Sequence, residues 1–404
     1  MKFFLFTTLI LIHSCLFAQT TSSSTEKDTS VPRLRELNVI NVTGKKAALQ
    51  VRQNRTVLDL SKSAGATGVD VLTAIGQMPG VRITNTGIAI AGRGSLKVMV
   101  DGRLIQLSGI DLLRFLKSMS ANQVSKIEVI KVPPASLDAE GNAGLINIVT
   151  RRSKQKGFSG NAQASGKHWI HHKAEIYGTK NYYAANASAD LNYNAEKWSA
   201  YANLNTDRDH HLEGFETDLF YPTQRWLQTD TGNYISRNYN GMAGIDYKLR
   251  NAAIGVSYSG GYTLYDGSDN VNNPVYNKAG SLDSTLHTYA TYHPVALSNA
   301  LGIHADIRLD TSGKKLSFNA DYFNYYRTDR SNFESHSFLP EDPSTPAGTT
   351  QYYDNNKQNI IVYTIKTDVV IPTAFAQWSF GGKLSFIDNY SNAFYYDKDP
   401  QGDL

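Results

Sequence analysis

Four short constellations have residue types and spacings that invite a chemical reading. His168 and His172 stand four positions apart with His171 between them, a spacing that on a helix would turn two imidazoles toward one metal. The surrounding sequence is not helical, however, and no glutamate follows in the metalloprotease pattern. His210 and His211 fall in a polar stretch that reads as a connection, so they are expected to be loop or rim side chains. Asp138-Ala139-Glu140-Gly141-Asn142 resembles a cation loop, but its charges are too few for a full oxygen cage. The residues after it, Gly144-Leu145-Ile146-Asn147, read as a strand. Asp101-Gly102-Arg103 reads as a tight turn, with Asp accepting backbone hydrogen bonds and Gly permitting positive φ. Neither a Gly-rich phosphate loop followed by Lys-Ser/Thr nor a nucleophile elbow is present. The chain is therefore expected not to be an enzyme, with no catalytic residues, no metal and no cofactor.

The elements that carry these residues begin with a leader. Lys2 is followed by a short apolar core from Phe3 to Ile12, and Leu16-Phe17-Ala18 offers a cleavage point before Gln19. That core is too short to span a bilayer as a helix, and no other stretch approaches eighteen apolar residues. Cys15 is the one cysteine, so no disulfide forms within the chain; His13 and Ser14 before it make a poor lipoprotein processing site. The 40 basic and 36 acidic side chains give a formal charge of +4 with no basic patch, which leaves no footprint for nucleic acid. Twenty-four Tyr and 31 Gly, with many Asn, suit an all-β region with aromatic surfaces.

Residues 1–18 are thus read as a signal peptide and 19–33 as a flexible arm rich in Ser, Thr and charge. A compact α+β domain is expected over 34–152. It opens with short strands at Leu37 to Val42 and Val57 to Leu60, followed by a helix in which Val69, Leu72, Ile75 and Met78 recur every three residues before Pro79-Gly80. A hairpin turns at Asn85-Thr86-Gly87, and a strand at Leu96, Val98 and Val100 runs into Asp101-Gly102. Leu112, Leu113, Phe115 and Leu116 form a second helical stripe, and Ile127, Val129 and Ile130 a further strand.

From Gly157 the period becomes two. Ala185, Ala187, Ala189, Leu191 and Tyr193 share one face, and Asn186, Ser188, Asp190, Asn192 and Asn194 the other. The alternation recurs to the end of the chain, with long polar connections expected from Asp207 to Arg237 and from Phe338 to Lys357. A soluble sandwich would show the same period. A face of Asn, Asp and Ser in place of a second core points instead to antiparallel transmembrane β-barrel strands over 157–404.

Several ordered segments carry a resemblance: Gln77-Met78-Pro79-Gly80-Val81, Val98-Met99-Val100-Asp101-Gly102-Arg103, Gln106-Leu107-Ser108-Gly109, Ile127-Glu128-Val129-Ile130, and Asp138 through Val149. Together they resemble the plug of TonB-dependent receptors, and more closely the Bacteroidetes-type outer-membrane β-barrel family that shares it. The resemblance implies a plug closing the lumen of a large barrel in the outer membrane. It also implies import of a scarce solute, glycan or peptide driven by a TonB-type energy-coupling protein. Outer-membrane lipid is the other implied partner. Arg93, Arg103, Glu128 and Glu140 are the charges expected to hold the plug to the barrel, and Gly80, Asp101, Gly102, Gly141, Asn142 and Gly144 the plug turns.

Two features depart from that pattern. Ala91 stands where many such receptors have the arginine of Ile-Arg-Gly, with Arg93 two residues later. Residues 157–404 suffice for roughly ten strands, fewer than a receptor barrel needs, so an incomplete barrel in a truncated chain is expected. A non-transporting structural or adhesive surface protein is the alternative.

Overall fold

The computed structural model describes residues 48–52, 54–63, 69–84, 86–91, 96–131, 144–151, 156–169 and 182–397. The expected leader, the arm and the strand at Leu37 to Val42 lie outside these residues, as do Arg93, Glu140, Gly141, Asn142, His171 and His172.

The described residues up to 151 form an α+β layer. Strands β1 (Leu49–Val51), β2 (Arg55–Asp59), β5 (Lys97–Val100), β6 (Arg103–Ile105), β7 (Val124–Ile130) and β8 (Leu145–Thr150) form one sheet in the order β1-β2-β7-β8-β5-β6. Only β5 and β8 run parallel. Helices α1 (Val71–Gly76) and α2 (Gly109–Ser118) and the hairpin of β3 (Val81–Thr84) and β4 (Gly87–Ile90) cover the core. Asp70 caps α1, its carboxylate accepting from the Thr73 N–H at 2.6 Å, which satisfies one of the donors a helix start leaves open. Val71, Ile75, Leu116, Ile127, Ile146 and Ile148 are fully buried at its centre.

The Asp101-Gly102 turn joins β5 to β6 with Val100 opposite Arg103. Both turn residues have positive φ, 50° and 78°, which is the two-residue geometry that a right-twisted hairpin prefers. The Asp101 carboxylate does more than shape its own turn. It accepts from the Thr150 N–H at 2.9 Å and from the Thr150 hydroxyl at 2.6 Å, fastening the hairpin to the end of β8.

The remainder is a second, antiparallel sheet of ten strands: β9 (Gly157–Trp169), β10 (Tyr182–Asn194), β11 (Trp198–Phe220), β12 (Gln224–Lys248), β13 (Ala252–Asn277), β14 (Leu282–Tyr292), β15 (Val295–Arg308), β16 (Lys315–Phe338), β17 (Gly348–Pro372) and β18 (Gln377–Asp397). Among the described residues it is open, with β9 and β18 as its edges. β14 and β15 lie end to end between β13 and β16, so the ten strands fill nine positions. The break falls at His293-Pro294, where proline has no N–H to give the ladder.

Polarity along this wall is the reverse of a soluble sheet. Ser188, Asp190, Asn203, Asn205, Asp207 and Asn238 are buried, while Leu191, Leu204, Ile245, Val256, Leu301 and Ile365 are exposed. The polar side faces the α+β layer and the apolar side faces outward, as a lipid-facing wall requires. Aromatic pairs bracket the apolar band. Trp198 and Tyr247 meet at 4.5 Å near one end, and Tyr239 stacks on Tyr262 at 6.4 Å farther along. Tyr239 and Tyr247 are about 27 Å apart along β12 at roughly 3.4 Å per residue, or about 21 Å along the membrane normal at a strand tilt of about 40°, which lies within an apolar band about 25 Å tall.

Two expected loops are corrected here. The polar stretch from Asp207 to Arg237 is a hairpin whose strands continue to Phe220 and resume at Gln224, and the connection after Phe338 ends at Gly348. The alternation of apolar side chains fades beyond the aromatic pairs because those strand halves leave the apolar band, whereas the backbone pairing persists. His210 and His211 consequently sit within β11, with His210 Nε2 2.8 Å from Asn233 Oδ1.

Candidate functional site: the seam between helix α2 and the wall

Helix α2 has two faces. Leu112, Leu113 and Leu116 bury themselves in the α+β core. Asp111, Arg114 and Ser118 recur at spacings of three and four on the other side, with Lys117 beside Ser118, so they project together from the core. Asp111 lies in the first turn and Lys117 in the last, each opposite in sign to the helix dipole at its end.

Each of these polar side chains meets the wall. Asp111 Oδ2 accepts from Arg327 Nη1 at 2.7 Å and from the Tyr325 hydroxyl at 2.5 Å, both on β16. The Arg114 guanidinium lies 4.3 Å from the ring centre of Tyr265 on β13. Asn240 of β12 donates to Ser118 Oγ at 2.5 Å, and Lys117 Nζ donates to Asp209 Oδ2 of β11 at 2.6 Å. Helix α2 thereby crosses the strands as a strut from β16 to β11. The 3₁₀ turn Ala121–Gln123 that follows extends the contact, Asn122 donating to Gln163 of β9 and Gln123 Nε2 to the Ala189 carbonyl of β10 at 3.3 Å.

Arg327 is held on both sides. Its Nε and Nη2 donate to the Asp329 carboxylate at 2.7 and 2.8 Å while Nη1 reaches across to Asp111. The fork geometry of a guanidinium allows it to serve two carboxylates at once.

Of the four charges expected from the sequence to hold the plug, Arg93 and Glu140 lie outside the described residues. Glu128 is in the middle of β7, and its described partners are within the mixed sheet: Lys126 Nζ at 2.7 Å and Asn147 Nδ2 at 3.3 Å. Burial pushes its carboxyl up, but the bonds from Lys126 and Asn147 and the nearby Arg55 charge outweigh that and hold it below the ordinary glutamate value. Arg103 opens β6 directly after the turn. Of the expected plug turns, Gly80 and Gly102 have positive φ, and Gly144 is a close-packing position where a Cβ would come within 2.5 Å of Ile90 Cδ1. What the sequence reading missed was the polar stripe of α2, although its spacing was available.

Residues 307–404 match the outer membrane protein beta-barrel family. No curated protein matches the chain. Among solved structures, the ferric enterobactin receptor PfeA of Pseudomonas aeruginosa is similar at 12% identity and a TM-score of 0.43, over 80% of this chain and 63% of that one. The ferric preacinetobactin receptor BauA of Acinetobacter baumannii is similar at 12% identity and a TM-score of 0.44, over 85% and 60%. The ferric citrate transporter FecA is similar at 11% identity and a TM-score of 0.39, over 85% and 58%. The chain thus spans less than two thirds of the length of these structures. It is an outer-membrane protein with an α+β layer ahead of an antiparallel β wall.

Proposed function

We propose that the protein acts as an outer-membrane receptor and importer in which the α+β layer is a plug, closing the lumen until a TonB-type protein displaces it. The observation that carries this reading is the α2 seam. A polar helix face meeting a polar wall can separate and re-form without exposing a hydrophobic surface, unlike an apolar core contact, because water takes up the polar groups it frees. Arg103, which opens β6, belongs to this reading as a further plug charge. The imported solute is a small polar molecule, glycan or peptide that would exchange hydrogen bonds with the Asn and Tyr of the inward strand faces and donate to their Asp. Uptake of a labelled panel of such solutes by cells expressing the protein tests the proposal. Dependence on TonB and on the proton gradient is expected, and uptake unchanged by loss of either would overturn the coupled mechanism.

The strand halves beyond the aromatic pairs favour a second reading, a surface scaffold or adhesin, because they raise paired polar strands above the apolar band. Loss of surface attachment without any change in uptake on deletion would select it.

A further inference from the structure

β6 ends the six-stranded sheet, and among the described residues no strand pairs with its outer edge. A two-residue turn closes on a hydrogen-bonded pair, so Val100 with Arg103, and Val98 with Ile105, exchange the bonds between β5 and β6. Leu104 lies between Arg103 and Ile105, and the alternation of an antiparallel ladder turns its N–H and carbonyl away from β5, to the open edge. That edge lines a cavity of about 360 Å³, within the range of small-ligand sites, whose far side is built from β13, β15, β16 and β17.

The lining decides which ligand fits. Its charged side chains already answer one another or their neighbours. His304 Nε2 lies 3.0 Å from Asp246 Oδ1, Asp306 Oδ1 holds Lys315 Nζ at 2.9 Å, and Lys366 Nζ meets Asp368 Oδ2 at 3.1 Å. The Asp101 carboxylate is taken by Thr150, and Asp321 and Lys383 are also engaged. A cavity compensated in this way exerts no net pull on a bare ion. It presents the backbone edge at Leu104, the uncharged polar side chains of Ser257, Ser259, Asn319 and Thr364, and an apolar margin of Leu107, Phe115 and Met242. An extended peptide answers all three, with backbone amides for the edge and for the polar wall and a side chain for the apolar margin.

We propose that the cavity binds a short peptide in extended form, added as a further strand to the edge of β6, with the residue opposite Leu104 exchanging both backbone hydrogen bonds with it. This deepens the import reading by naming the solute as a peptide, and it rests on that reading for the passage of the peptide across the membrane. Binding itself needs only the edge and the cavity.

The test is calorimetry on the full chain in detergent micelles with acetyl-Ala-Val-Ala-amide, against the same peptide N-methylated at its valine and against maltotriose. Saturable binding of the unmethylated peptide alone is expected. Methylation removes the N–H that meets the Leu104 carbonyl and should weaken binding by about five- to tenfold, whereas simple partition into micelles would not fall. Leu104→Pro removes the N–H of the edge itself, a change that an edge strand accepts, and should weaken binding to a similar degree. Ser259→Trp, which fills the cavity from β13 and leaves β6 untouched, should abolish it. Isotope-edited infrared spectroscopy of a carbonyl-labelled peptide should show its amide band move to the strand position on binding. Absence of saturable peptide binding by the unmodified protein would overturn the proposal. So would equal binding of the methylated peptide, an amide band unchanged from that of the free peptide, or binding of maltotriose in its place. None of these outcomes depends on uptake: peptide binding together with uptake indifferent to TonB would leave the site standing and remove the coupled import reading.

Discussion

Asp111 on α2 and Arg327 on β16 meet at 2.7 Å across a sequence separation of 216 residues, joining the α+β layer to the wall. Tyr325 donates to the same carboxylate oxygen, so Asp111 is the point where the helix start is fixed. Replacing it with Asn keeps the shape and removes the charge. A cycle of Asp111→Asn, Arg327→Gln and the double variant should show a coupling of about 1 kcal/mol, reduced by the retained Arg327–Asp329 pair. Chemical denaturation of the purified protein measures it, and additive effects would show that the contact does not hold the helix.

Lys117 and Asp209 make the shorter contact at 2.6 Å, but Lys117 is 41% exposed and Asp209 5%. Exposure on one side screens the pair, so Lys117→Ala should cost roughly 0 to 1 kcal/mol. The larger effect is expected on retention of the α+β layer at the wall, seen as faster cleavage of α2 by an added protease. Removing Asp209 instead should leave Lys117 solvated and the wall little changed. Equal protease resistance in the Lys117→Ala variant would remove the pair from the seam.

How much of this was legible in the sequence depends on which signal each residue carried. The apolar period of three and four around Leu112 and Leu116 marked α2, and Asp101-Gly102 marked its turn, because in both cases local chemistry and tertiary structure demand the same thing. The polar stripe of Asp111, Arg114 and Ser118 had the same period, yet polar residues on a helix ordinarily face water, and nothing local says that a wall stands there. The hairpin at Phe220 to Gln224 was read as a loop for the opposite reason: apolar alternation reports the lipid band, and strands that leave the band lose the signal while keeping their hydrogen bonds. The joint of β14 and β15 is marked by Pro294, whose significance emerges only when both halves are seen to pair with β13 and β16.

Gly144 tests the packing of the six-stranded sheet. An added Cβ would stand 2.5 Å from Ile90 Cδ1 and 2.8 Å from Leu96 Cδ2, below ordinary contact in both directions. Gly144→Val should therefore destabilise by about 1 to 3 kcal/mol through overpacking at the start of β8. A stability indistinguishable from the parent would mean that Ile90 and Leu96 shift freely.

The direction of the wall is tested by charge placement. Ile245 is 47% exposed within the apolar band, whereas Thr229 lies on the same strand face beyond Tyr239. Ile245→Arg, between the middle of the band and its Tyr247 end, should cost about 1 to 2 kcal/mol in lipid and lower the yield of assembled protein, and Thr229→Arg less than that. Equal yields in the membrane fraction would contradict the position of the band.

Acid stability reports on Glu128. Its folded carboxyl lies below the ordinary glutamate value, held there by Lys126 and Asn147 against the opposing effect of burial. A depressed folded value means the unfolded chain takes up its proton first as pH falls. The stabilisation is then complete above the ordinary glutamate range and is lost as pH drops through the folded value. Glu128→Gln should flatten the acid limb of the stability curve in that window while leaving the slope above it unchanged. Because both partners are in the mixed sheet of the α+β layer, the effect should appear in unfolding of that layer and leave the α2 seam intact, which protease cleavage of α2 at pH 4 and pH 7 would register. A Glu128→Gln variant that released α2 at neutral pH would instead assign this carboxylate to the seam.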